Sequence, residues 1–276
     1  MKKILLITMV FALSGMLFHS CKKDKGDPPV LPPAGSMTID FNNFESAKKG
    51  EVEAFIPKGT PDGNWAFAAG VAMIWKSIVY STLAIPVYSF QKAIEQDNPT
   101  YLDDRTWQWS TSASVLGKTY TARLTGQITE TNVLWKMYIS LDGTGGYTDF
   151  VWFEGTSKLD GTSGQWILYE SQPNPVEIVR IDWSVAGDKI GSVKYTFTKA
   201  GNPFANSYIE YGMTANALNS YYTINYFNTE RQEFFDMNVE WSSSLKNGRV
   251  KCLKFFGTDA WHCWDGNHLD VTCPLN

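Results

Sequence analysis

Histidine is scarce in this chain, with three in 276 residues, at positions 19, 262 and 268. None sits in a recognisable hydrolase motif, and no serine is framed by glycines as in a nucleophile elbow, so serine–histidine hydrolysis is not read here. Charge of one sign is lacking too: 24 Lys and Arg against 28 Asp and Glu leave a net −4 and a pI near 5.5. That balance offers no basic surface to nucleic acid. No apolar segment runs to about 18 residues without a charge or Pro86, which argues against a membrane span. Four cysteines are present, but none of their spacings is the tight two-residue spacing of zinc modules, so no metal site and no cofactor are expected.

What the chain has in quantity is apolar and aromatic surface, 43% hydrophobic residues and eleven tryptophans. This fills one core easily, and β-rich folds of this length often form one domain. The organising stretch is residues 64–96. Positions 65–75 are apolar or small all the way round, which describes a helix enclosed on every side. Asp62 and Asn64 are its candidate N-caps. Pro86 cannot continue an ideal helix, so two helical pieces are expected, the second fading by Asp97-Asn98-Pro99.

Almost everything else reads as strand. Met37, Ile39 and Phe41 alternate with polar residues, as do Trp107 and Trp109, then Tyr120, Ala122 and Leu124, then Val133, Trp135, Met137, Ile139 and Leu141. Later strands read 150–153, 176–183, 191–197, 208–213, 221–227, 237–241 and 250–255. Leu141-Asp142-Gly143-Thr144-Gly145-Gly146 returns as Leu159-Asp160-Gly161-Thr162-Ser163-Gly164, and the Asp-Gly pairs mark two hairpin turns rather than calcium loops. The fold class is mostly β with one long helix (α+β): an antiparallel meander of about ten strands forming a barrel or strongly curved sheet packed on a buried helix, or alternatively a two-sheet sandwich.

The first twenty residues read as an export signal, with Lys2 and Lys3 before the apolar stretch 4–17. Leu17-Phe18-His19-Ser20-Cys21 resembles a bacterial lipobox, which makes Cys21 the lipidated N-terminus of the mature chain. Residues 21–36, charged and proline-rich, read as a disordered tether, and 37–276 as the single domain. Together with Ser36-Met37-Thr38-Ile39-Asp40-Phe41 and the tail Trp261-His262-Cys263-Trp264 and Asp270-Val271-Thr272-Cys273, this arrangement resembles uncharacterised lipoproteins of Bacteroidetes bacteria. The resemblance implies an outer-membrane location, on the periplasmic or surface face, with the membrane as partner through the lipid.

Three cysteines remain after Cys21, which predicts one pair and one leftover. Cys263 and Cys273 close a short polar loop, and the resemblance points to the same pair; Cys252 with Cys263 competes, because a turn at Gly257-Thr258 would face them across a hairpin. A metal site of Cys263, His268 and Cys273 with His262 is the functional alternative, which an oxidising compartment disfavours.

For ligand binding the candidates are Trp107, Trp109, Trp152, Trp166, Trp261 and Trp264, which would stack on sugar rings if exposed in a row, or line a lumen for an apolar ligand. Most tryptophans on strands simply fill core. The reading is a non-enzymatic, lipid-anchored binding protein of the cell envelope, for a glycan or other extracellular polymer, with an apolar small molecule as the other ligand class. The enzymatic alternative is a glycoside hydrolase using two of Glu154, Glu170, Asp182 and Glu240.

Cys21→Ala is expected to move the protein from the membrane to the soluble fraction. Unchanged membrane association on fractionation would refute lipidation at that residue.

Overall fold

A helix apolar around its whole circumference has to be enclosed, and the computed structural model, which describes residues 25–45 and 63–274, encloses it. Cys21, the export signal and Asp62 lie outside the described residues. The helix α1 spans Asn64–Ile94, and its early residues Trp65, Phe67, Ala68, Ala69, Val71, Ala72 and Trp75 are buried. Past Lys76 burial narrows to one face, on which Leu83, Pro86, Phe90 and Ala93 recur at helical spacing.

The expected break at Pro86 does not occur: one helix runs through it. Its missing N–H removes one backbone bond. Because Pro86 lies on the buried face with Leu83 and Phe90, both halves bury their apolar surface in the same core, and packing outweighs the lost bond. By length and composition α1 is apolar enough to cross a bilayer, yet 39% of its most apolar window is buried inside the fold. Most of the other residues of α1 are half-buried, and Ser77, Tyr80, Ser81 and Tyr88 are exposed.

Fourteen strands follow one another in a single antiparallel sheet, each paired only with its neighbours in the chain. They are β1 (Thr100–Tyr101), β2 (Thr106–Val115), β3 (Lys118–Ile128), β4 (Asn132–Leu141), β5 (Tyr147–Lys158), β6 (Ser163–Ser171) and β7 (Asn174–Ala186). The second half comprises β8 (Lys189–Phe197), β9 (Tyr208–Met213), β10 (Ser220–Asn228), β11 (Glu233–Trp241), β12 (Gly248–Lys251), β13 (His262–Trp264) and β14 (Asp270–Val271). The sheet is curved but unclosed, since β1 and β14 do not pair. It is therefore neither a sandwich nor a complete barrel. The repeated Asp-Gly segments do form the β4–β5 and β5–β6 turns, with positive φ at Gly143 and Gly161.

The helix fills the place where a barrel would close. It packs on β2 and β3 at one end of the meander and on β12 and β13 at the other. Further along, Phe90 meets Phe153 of β5 and Trp166 of β6 edge-on, at ring separations of 6.1 and 5.3 Å. Strand 250–255 is cut short: β12 ends at Lys251, and a helical turn, α2 (Leu253–Phe256), follows it. Phe255 and Phe256 of that turn pack against Phe67 of α1.

Residues 37–41 are not a strand. Met37, Ile39 and Phe41 are buried as the alternation predicts, but the segment crosses the inside of the sheet between two short 3-10 turns, Ala34–Met37 and Asn42–Phe44, instead of adding to an edge. Its carbonyls are satisfied by hydroxyls from the sheet: Tyr195 donates to the Met37 carbonyl at 2.6 Å, and Tyr222 donates to that of Asp40. The proline-rich segment before it, expected as a free tether, lies on the domain from Lys25 onward. Pro29 and Pro32 are buried, Ser36 accepts the Trp166 indole N–H at 3.2 Å, and Lys25 sits 5.6 Å from the Trp107 ring centre. Prolines lose little entropy on ordering, so modest apolar contact holds such a segment down.

Tryptophans are matched to glycines across the sheet. Gly126 faces Trp135, Gly155 faces Trp166, Gly164 faces Trp183 and Gly248 faces Trp264 in direct register. Each ring lies over a backbone with no side chain, and a Cβ on Gly126 would come within 2.5 Å of the Trp135 ring. Gly126→Ala is therefore expected to cost about 1–3 kcal/mol by overpacking. An unchanged thermal midpoint would mean that the ring has room to move.

Candidate functional site

Of the six tryptophans singled out in the sequence, Trp107, Trp109, Trp166 and Trp264 are core residues. Their indoles meet glycines, other rings or buried hydroxyls, so no row of exposed platforms exists among them. Trp152 is half-buried beside Tyr147 and Phe150. Trp261 is covered on one face by the Arg249 guanidinium at 4.3 Å and by Lys251 at 5.3 Å. These two stand far apart in the sheet order.

The four strand carboxylates are each held by a separate partner. Glu154 accepts the Tyr169 hydroxyl at 2.8 Å, Asp182 accepts an N–H of Gln165 at 2.6 Å, and Glu240 pairs with Arg249 at 2.7 Å. Lys199, bonded to Glu170 at 2.6 Å, holds that carboxyl below its ordinary pKa. A glycosidase acid needs the opposite shift. The geometry thus gives paired-carboxylate hydrolysis no support.

What the fold does offer is a trough of about 570 Å³ along the uncovered flank of α1, within the size range of small-molecule sites. Val79, Leu83, Ala84 and Val87 form one wall, and Ile39 and Phe41 another. Tyr80, Tyr88 and Leu116 stand at its opening, with Tyr80 72% and Leu116 91% exposed. On the far side of the same helix a second hollow of about 400 Å³ is lined by Ile85, Pro86, Trp152 and again Leu116. One exposed leucine overhangs both.

Leu116 is unusual in backbone as well as exposure. With Gly117 it forms the two-residue turn between Val115 and Lys118, and both have positive φ, 52° and 74°. Such a turn favours Asn-Gly; a leucine in the left-handed region costs about 1 kcal/mol. A leucine is uncommon in that conformation, and strain of this kind collects at functional positions. Sequence reasoning missed this residue, although a large apolar side chain immediately before a turn glycine was the available signal.

The cysteines are at the other end of α1. Cys263 and Cys273 are disulfide-bonded, with Cα atoms 5.2 Å apart. Cys252 is free and buried, and burial pushes its thiol pKa up. The competing pair fails on register: Arg249, not Cys252, faces Cys263, because α2 occupies the connection. Among the described residues no group of three or more His, Cys, Asp and Glu is placed to hold a metal ion.

The disulfide secures a clasp on the start of α1. The Asn64 backbone N–H donates to the Asp270 carboxylate at 2.7 Å, and the Asn64 side chain donates to the Cys263 carbonyl at 2.9 Å. Asn64 is thus the first helical residue, and its cap comes from β14 instead of its own side chain. A carboxylate is well suited to that position, where unpaired N–H groups and the helix dipole favour negative charge. His268 lies flat on Trp65 at 4.0 Å between ring centres.

Desolvation against that ring lowers the His268 pKa from its usual value; Asp265 acts in the raising direction, and Lys246 in the lowering one. A lowered folded-state pKa means that the unfolded chain takes up the proton first, so stability is lost as pH falls through about 6.5. His268→Phe, which keeps the stack, is expected to flatten the fall in thermal midpoint between about pH 7 and 5.5. An identical pH profile would show that the stack does not sense the proton. Comparison with known protein families, with curated proteins and with solved structures finds no match for this chain.

Proposed function

We propose that this chain is a lipid-anchored binding protein of the cell envelope, without catalytic chemistry of its own, and that its ligand carries an apolar chain seated in the trough beside α1. The observation that carries the reading is Leu116: exposed, held in a backbone conformation that costs stability, and overhanging the apolar walls of the trough. The lipid anchor rests on the lipobox-like sequence at Cys21. A glycan is the sequence's slight preference over a lipid, on the ground that the helix fills the interior. That ground weakens once the apolar space lies outside the helix, while the loss of four tryptophans to the core removes the main platform for sugar rings.

The reading has a test in chain length and a test in one residue. Linear alcohols of increasing length should displace a bound neutral dye such as Nile red. Each added methylene should contribute about 0.8 kcal/mol, roughly fourfold in affinity, until the trough is full. Leu116→Asn is expected to raise stability by up to about 1 kcal/mol, by relieving the left-handed leucine, and to weaken that binding. Binding that ignores chain length and Leu116→Asn, together with capture on a glycan array, would replace the apolar ligand with a sugar.

A further inference from the structure

At Lys76 the trough changes character. A smaller hollow of about 360 Å³ adjoins it, and Thr38, Ile39, Phe41 and Lys76 line both. Beyond Lys76 the lining is mixed: Asp40, Asn42 and Glu45 stand there beside Ile190 and Tyr211. A site that is apolar along one stretch and gathers three polar side chains at its end is matched by an amphiphile whose chain lies beside α1 and whose head lies between residues 38–45 and Lys76.

The charges there decide which head. Among the described residues lining either hollow Lys76 is the sole cation, and it is paired with the Glu45 carboxylate. Asp40 is exposed and, among the described residues, has no cation paired with it; its carboxylate accepts the Asn42 backbone N–H at 2.9 Å. The formal sum over Asp40, Glu45 and Lys76 is −1, so among the described residues an anionic head would meet a cation already engaged and a carboxylate with no counter-charge. A hydroxyl both donates and accepts. Several hydroxyls could donate to Asp40 and Glu45 while accepting from the Lys76 ammonium and the Asn42 amide.

We infer, resting on the reading of the trough as a chain site, that the ligand is a single-chain amphiphile with an uncharged, hydroxyl-rich head group. The sugar and the apolar chain, alternatives in the sequence, are then two parts of one molecule.

The experiment uses the full chain carrying Cys21→Ala, which leaves no lipid to compete. Octyl β-glucoside, octanoate, octyltrimethylammonium and glucose are each titrated calorimetrically below their micelle-forming concentrations. The glucoside is expected to bind at least tenfold more tightly than octanoate, with glucose alone undetected. Asp40→Asn should narrow the gap by strengthening octanoate. Leu116→Asn should weaken all three octyl compounds alike. Octanoate or the ammonium compound binding as tightly as the glucoside would overturn the head group and leave the chain site standing. No binding by any octyl compound, or glucose binding as well as the glucoside, would overturn the chain site and this inference with it.

Discussion

The structure depends on a helix held in the gap of a sheet that does not close. Fourteen strands in chain order could in principle join first to last, but the ends are short and different, and α1 lies between them, touching β2 and β3 on one side and β12 and β13 on the other. Closure is therefore a matter of side-chain packing, not of a backbone ladder. This sets what the ends must provide: apolar strand faces toward the helix, and a cap for its first N–H groups. The cap arrives from Asp270, 206 residues along the chain from Asn64. The disulfide one strand away makes sense as the fastener for that distant contact.

The excess of tryptophan has its account in the same geometry. A curved sheet around a helix must accept large rings on its concave side without crowding, and placing glycine opposite each of four tryptophans gives the ring a place to lie. Glycine in a strand weakens it, and a ring laid across the gap restores the covered surface. Three of these indoles also find acceptors: Trp135 at Ser157, Trp166 at Ser36 and Trp264 at the Lys246 carbonyl.

Much of this was legible in the sequence, for reasons that particular residues make plain. The periods of 2 at 133–141 and the all-round apolarity at 65–75 are direct consequences of burial, so strands, helix and hairpin turns follow from them. Residues 37–41 show the limit: alternation reports which side chains are buried, while strand identity needs a partner for the backbone, and here tyrosine hydroxyls take that part. Pro86 and residues 253–256 fail for the converse reason, because tertiary packing overrode a local rule. The site was least legible. Tryptophans drew attention by size, yet large rings go where most surface can be buried, whereas Val87, Tyr80 and Leu116 stand out only once their exposure is known.

The proline-rich segment's contact with the domain also fixes a direction. Lys25 rests at Trp107, near the start of β2, and four residues back along an extended chain reach at most about 14 Å. Whatever lies before Lys25 therefore joins the domain close to the Trp107 end of β2. Leu116 lies nine residues further along that hairpin, roughly 30 Å of extended strand away. Leu116 at the trough's opening and the Lys25 contact thus stand at opposite ends of the β2–β3 hairpin, so that whatever enters the trough meets the domain away from the end where the proline-rich segment leaves it.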